Sequence, residues 1–376
     1  MYRLAVLLLL TRAVTLAGHA CAAPLPSLNV RELVSNSDVV LKGEVIADEF
    51  VACEYYPLPT GKLDWLESHI ATFRVDRTLA GTVDSGELVP VHWSCRALDL
   101  YTALVPGDYG LLFARREDSG LAVSHRVYPL VPVSRNAVPD THASDPLGRV
   151  EEEMLNSLHD SDSLLVCLAA KTLGDMLARD ALAPLRDVAA NHPNPLCRAW
   201  AFSSLLSRLH DSSAIRPAME LVQTALASES QLPELAEQIY APASPAYAHV
   251  RHAGAARSYL LGSLAGEIHT EDHLQAALTL ARMTDHTAQR AGLQALRQIG
   301  FEAGSFDTIT RALELLDDPE LGWSASMTLA EITDHRHTEW CGGSREDFDA
   351  NRDHYVNQWR QWWESEGKTL YPPPGP

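Results

Sequence analysis

The sequence predicts a multidomain protein, a small antiparallel β-barrel followed by an all-α solenoid of stacked helix pairs. Three observations lead there. Apolar residues recur with period two between residues 37 and 133. After Asp145-Pro146 the period becomes helical, and similar helices return every thirty-odd residues. The 376-residue chain is also long enough for two or three cores. The expected divisions are an export signal over 1–22, the barrel over 23–140, the helical repeats over 146–334, and a tail over 335–376.

The first segment reads as a secretory signal. Arg3 gives a positive start, Leu4 to Leu10 is an unbroken apolar run, and small residues crowd positions 17 to 23. Pro24 and Pro26 follow too soon for a membrane span, and no later stretch has the length of one. The protein is therefore expected to be exported, periplasmic or secreted, with no integral membrane segment after cleavage. Cleavage after Ala20 leaves Cys21 first, whereas cleavage after Ala22 removes it. Against 49 acidic residues stand only 30 basic ones, a formal charge of −19. The arginines are scattered singly, so the basic face that nucleic acid needs is missing. None of the six cysteines forms a Cys-x-x-Cys pair, which excludes thioredoxin-like and zinc-ribbon arrangements.

The front strands follow from alternation. In "ATFRVDRTL" Ala71, Phe73 and Val75 alternate with polar residues, and in "LVPVHWS" Val89, Val91 and Trp93 share one face. "DVVLKGEVI", "YGLLFAR" and "LAVSHRVYPLVPV" add further runs between the turn signals Gly81, Pro106-Gly107-Asp108 and Ser119-Gly120. About five short strands of this kind predict a small antiparallel sheet or barrel.

The stretch "CAAPLPSLNVRELVSNSDVVLKGEVI", with "RTLAG" and "PGDYGLLFAR" after it, resembles the netrin-like module of tissue inhibitors of metalloproteinases. The resemblance covers roughly residues 21–133 and implies an OB-like barrel. It also implies that a mature N-terminal Cys21 pairs with Cys95 and offers its α-amine to the zinc of a target protease. Ala22 and Ala23 stand where the family carries a second early cysteine. The other reading discards Cys21 and bridges Cys53 to Cys95. By the chain-entropy relation that staple contributes roughly 3 to 4 kcal/mol.

In the body, Asp145 is an N-cap with Pro146 at the first helical position, and Leu147, Val150, Met154 and Leu158 mark one face. "LLVCLAAKTLGDML" is echoed by "PLCRAWAFSSLLSRL", "HVRHAGAARSYLLGSL", "AQRAGLQALRQIG" and "LGWSASMTLAEIT". Second helices such as "LAPLRDVAANH" and "FDTITRALELLDD" lie between them, with an irregular insertion near 229–248. Together with Val250-Arg251 and Gln289-Arg290-Ala291, the pattern resembles the short bacterial HEAT-like repeats. That resemblance implies a HEAT-like solenoid whose small residues let neighbouring helices approach. Cys167 and Cys197 occupy equivalent positions one repeat apart, within reach of a disulfide or as two buried thiols.

In the tail, Trp359, Trp362 and Trp363 lie at helical spacing with Tyr355, so three of the four share a stripe. It reads as a cap over the open end of the solenoid, with a sugar- or peptide-binding box as the alternative. His335, His337 and Cys341 in "DHRHTEWC" form a candidate metal set. No catalytic or cofactor motif was found: neither a Gly-x-Ser-x-Gly elbow, a His-Glu-x-x-His pair, a phosphate loop nor a dinucleotide fingerprint. Glu151 and Glu152 read as exposed helical carboxylates. The expected function is thus non-enzymatic and without cofactor, an exported protein that binds a protein partner on its solenoid. The alternatives are protease inhibition through Cys21, and metal or saccharide binding at the tail.

Overall fold

The structure, a computed structural model, describes residues 29–57, 63–96, 103–125, 128–138, 143–226 and 253–374. The segment expected as an export signal, Cys21 and the insertion expected near 229–248 lie outside them. The chain forms an N-terminal six-stranded sheet and then a region made mostly of helices. Among the described residues no helix is long and apolar enough to cross a membrane.

A short helix α1 (Val30–Ser35) precedes the strands β1 (Val39–Pro57), β2 (Leu63–Ala80), β3 (Leu88–Arg96), β4 (Tyr109–Glu117), β5 (Gly120–Val123) and β6 (Leu130–Pro132). The pairing order is β1-β2-β3-β5-β4, and β4 pairs back to β1, so five strands close a ring of hydrogen bonds. β6 adds to β4. An alternating ring with an odd number of strands must contain one parallel pair, and here it is β3 with β5. Bulges at Val45/Ala47 and Phe50/Ala52 bend β1. Beyond them β1 and β2 run on as a long hairpin. The segment "ADEFVACEYYP" was not expected as strand, because it lacks an apolar alternation.

Two apolar clusters explain the runs in β1 and β4. Val39, Leu41, Leu112 and Ala114 point into the ring, where they meet Phe73, Val75, Val91 and Trp93. Their neighbours Val40, Leu111 and Phe113 point the other way, into a core shared with the helices. Both strands are therefore buried on two faces, which is why they read as "VVL" and "LLFA" rather than as strict alternation.

The helical region begins with α2 (Pro146–Ser157), capped by Asp145 as expected. First helices α3 (Ser163–Asp175), α5 (Pro195–Ser207), α7 (Ala253–Glu267), α9 (His286–Ile299) and α11 (Gly322–Ile332) pack each on the next. Between them lie the second helices α4 (Leu182–Asn191), α6 (Ile215–Thr224), α8 (Leu274–Arg282) and α10 (Phe306–Glu314). Two glycines show why small residues recur. A Cβ on Gly174 would stand 2.5 Å from Ser204 Cβ, and one on Gly292 would stand 2.2 Å from Ala281 N. Arg257 of α7 is 1% exposed and grips Asp285, which itself caps α9 through Ala288 N. Beyond them lie α12 (His337–Trp340), α13 (Arg345–Ala350), α14 (Arg352–Trp362), the π turn Trp363–Gly367 and one last helical turn, Lys368–Leu370.

Sheet and helices are joined by buried charge. Lys42 Nζ of β1 lies 2.6 Å from Glu153 Oε2 of α2, with side chains 4% and 1% exposed. Arg77 donates to the other oxygen at 3.2 Å, and Lys42 also donates to Asn136 O at 3.0 Å. Arg149 donates to Leu79 O, Arg31 to Met176 O, and Ser134 N to Ser157 Oγ. The acidic run of α2 is therefore not a solvated face. Glu153 is buried, and Glu152 accepts from Ala143 N.

Glu153→Ala leaves the buried Lys42 ammonium and the Arg77 guanidinium without their carboxylate acceptor and is expected to cost about 3 to 5 kcal/mol. In Lys42→Met/Glu153→Leu no buried partner is orphaned, and Arg77 can turn to solvent. Urea unfolding should return the double variant to within about 2 kcal/mol of the parent. A loss below about 1 kcal/mol for Glu153→Ala contradicts this role.

Candidate functional site

The alternation that buries Phe73 and Ala71 inside the ring continues outward along the same face of β2 through His69, Glu67 and Trp65. Exposure rises along that line, from 0% at Ala71 to 38% at Trp65. β3 places Trp93 opposite His69 and Cys95 opposite Glu67. β1 places Phe50 opposite His69 and Cys53 opposite Glu67. One face of three strands thus gathers two carboxylates, an imidazole, two sulfurs and several aromatic rings.

Asp48 organises this group. It accepts from His69 Nδ1 at 2.8 Å and from Trp93 Nε1 at 2.8 Å. A carboxylate can only accept, so Nδ1 carries the proton of that bond, and the ring's other nitrogen, Nε2, is the one left to act as a ligand. The ring is clamped between Trp93, stacked at 4.3 Å, and the edge-on ring of Phe50 at 5.6 Å. Nε2 is buried and makes no hydrogen bond, and Glu67 Oε2 lies 3.7 Å from it. Cys95 Sγ lies 3.9 Å from that same oxygen. Glu67, His69 and Cys95 each bring a ligand atom within 4.8 Å of the others, the one such trio of His, Cys, Asp or Glu among the described residues. Sequence reasoning missed His69 and Glu67. Their signal is the Glu-x-His spacing on a strand, which sends both side chains to one face.

Cys53 and Cys95 register with Glu67 from opposite sides. Two strand spacings separate them, about 9 to 10 Å. A disulfide spans Cα atoms about 4.4 to 6.8 Å apart, so bridging these two requires the strands to move.

Cys167 of α3 and Cys197 of α5 do meet. Their sulfurs are 3.1 Å apart, both are thiols, and both are fully buried. Burial raises the Cys167 thiol well above its ordinary range, and its hydrogen bond to Cys197 adds to the rise. The Cys197 thiol is lowered, first by that same hydrogen bond from Cys167 and then by His192 beside it. His192 in turn is raised by its bond to Cys197.

The tail tryptophans are packed inside. Trp359, Trp362 and Trp363 are 0%, 6% and 7% exposed, which leaves no open face for a sugar. Trp359 Nε1 donates to Ser326 Oγ of α11 at 2.8 Å. His335 is one ring of that cluster, 4.2 Å from Trp340, and burial lowers its pKa. His337 pairs with Glu331 at 2.9 Å, and Cys341 donates to His337 O at 2.8 Å. The three therefore do not converge on a common coordination point.

Two shallow grooves open between successive first helices. One of about 410 Å³ between α5 and α7 is lined by Arg208, Tyr259 and Ser263. The other, about 440 Å³ between α9 and α11, is lined by Arg290, Gln294, Arg297 and Glu331. Comparison with protein-family models, curated proteins and solved structures gives no match to this chain.

Oxidation is expected to close Cys167 to Cys197 across 30 residues. By chain entropy the bridge contributes about 3.5 kcal/mol. Closure needs a thiolate. With Cys197 held below the usual thiol range, oxidised glutathione should still form the bridge in mildly acidic buffer, and His192→Ala should slow it. Non-reducing peptide mapping reads the bridge. Two intact thiols after prolonged oxidation contradict the assignment.

Proposed function

We propose that this is an exported, non-enzymatic protein whose ring of strands is an OB-type barrel and whose helices form a HEAT-like solenoid that binds a protein partner. The reading takes the ring order β1-β2-β3-β5-β4-β1 with one parallel pair as the barrel. It takes the ladder of first helices as the solenoid, whose extended surface such folds use for recognition.

The observation that carries the function is the pair of grooves between consecutive first helices. They lie on the layer that stacks continuously, so an extended segment can cross several repeats. Their lining supplies what a peptide backbone and side chains need. Tyr259, 55% exposed, offers a rigid aromatic surface. Gln294 and Gln298 offer donors and acceptors, and Arg208, Arg290 and Arg297 offer cationic forks in a chain that is otherwise strongly acidic. The inhibitor-like alternative rests on the resemblance at Cys21 and Cys95, and the grooves favour the helical surface over it.

A photoreactive residue at Tyr259 or Gln298 is expected to trap the partner in the host. Arg297→Glu should abolish the product, whereas a probe at Arg216, exposed on the second-helix layer, should give none. Equal capture from Arg216, or none from the groove positions, contradicts the assignment.

A further inference from the structure

We propose that the face of β1, β2 and β3 described above holds a transition-metal ion of the zinc class, ligated by His69 Nε2, Glu67 Oε2 and Cys95 Sγ and oriented by Asp48. The site is separate from the helical grooves and from the His335, His337 and Cys341 set of the tail.

Four features carry it. The first is the donor set. Imidazole, thiolate and carboxylate together suit zinc and its neighbours, whereas calcium and magnesium take oxygen alone. The second is spacing. Around a tetrahedral ion with ordinary zinc bond lengths, an imidazole nitrogen and a carboxylate oxygen stand about 3.3 Å apart, and a sulfur and an oxygen about 3.6 Å apart. The corresponding separations here are 3.7 and 3.9 Å, each a few tenths of an ångström longer, and the three ligand atoms all lie within 4.8 Å of one another.

The third feature is the orphaned nitrogen. A buried ring nitrogen without a hydrogen bond is costly to keep, and His69 Nε2 is one. A metal ion would use the lone pair that no donor in the protein reaches. The fourth is Asp48. Metal-binding histidines usually donate the other ring N–H to a carboxylate, which fixes the tautomer and raises the basicity of the ligand. Asp48 makes that bond at 2.8 Å and is itself held by Trp93 Nε1 at 2.8 Å. The stacked Trp93 and edge-on Phe50 hold the imidazole in place, so little rotamer freedom is lost on binding.

Three protein ligands leave one tetrahedral position for water or another donor. On binding, Cys95 gives up its thiol proton to solvent and the thiolate forms the sulfur–metal bond. Affinity should therefore fall as the pH is lowered. Cys53 lies on the far side of Glu67 and is not a ligand, which makes it the control thiol.

The test is a titration of the reduced full chain with Zn²⁺ by calorimetry and with Co²⁺ by absorption. One equivalent is expected to bind, and Co²⁺ should produce a thiolate-to-metal charge-transfer band in the near ultraviolet. Cys95→Ser and His69→Ala should lose the band, and Cys53→Ser should keep it. Asp48→Asn should weaken binding about 10- to 100-fold. If a variant fails to fold, the parent protein still decides, because Zn²⁺ should protect Cys95 from alkylation while leaving Cys53 reactive. Absence of the band in the reduced parent, its persistence in Cys95→Ser, or Cys95 alkylation unchanged by Zn²⁺ overturns the proposal.

Discussion

A lysine buried on the helix-facing side of β1 is the constraint around which the molecule is arranged. Taking an ammonium group out of water is costly, and its partner must be held in place with little freedom. Glu153 meets that demand for Lys42, and Arg77 occupies the second carboxylate oxygen. Satisfying these groups sets where α2 crosses the sheet. The first helix of the stack follows from α2, so the ring and the helices inherit one orientation. The apolar contacts agree. Val40, Leu79, Phe113 and Val131 of the sheet share a core with Val150, Met154 and Leu168 of the helices.

How much of this was legible in the sequence depended on whether neighbours in space were neighbours in pattern. Period-two runs located β1 through β4, and the Asp145-Pro146 cap located the start of α2, because both signals are local. Lys42 was not legible as a buried residue. In "VVLKGEVI" it occupies a polar slot that a one-sided sheet would turn to water, and only the packing of α2 on that face buries it. Glu153 was hidden likewise within "EEEML", where one carboxylate of three turns inward. The distal half of β1 was missed because its side chains are mostly exposed. Its strand state is maintained by pairing with β2 rather than by an apolar stripe of its own.

The candidate sites divide along the same line. Cys167 and Cys197 were found because they hold equivalent positions in two similar helical stretches, which pack on each other as α3 and α5. The stripe of Trp359 and Trp362 was found because helical spacing is visible in the sequence, and its burial against Ser326 and His335 agrees with a capping role. The group around His69 needs three strands in register, which no single stretch announces. Its members come from the bent part of β1, the outer half of β2 and the end of β3. The ring that buries Phe73 and Val91 thereby delivers polar and sulfur-bearing side chains at its rim.

The central claim is that sheet and helices form one cooperative unit fixed across Lys42 and Glu153. Native-state hydrogen exchange tests it most directly. Amides of β1 and β4 and those of α2 and α3 should exchange through the same opening, with one common free energy and one common denaturant dependence. Sheet amides that open at a distinctly lower free energy than those of α2, with a smaller denaturant dependence, would show two independent units and contradict the account.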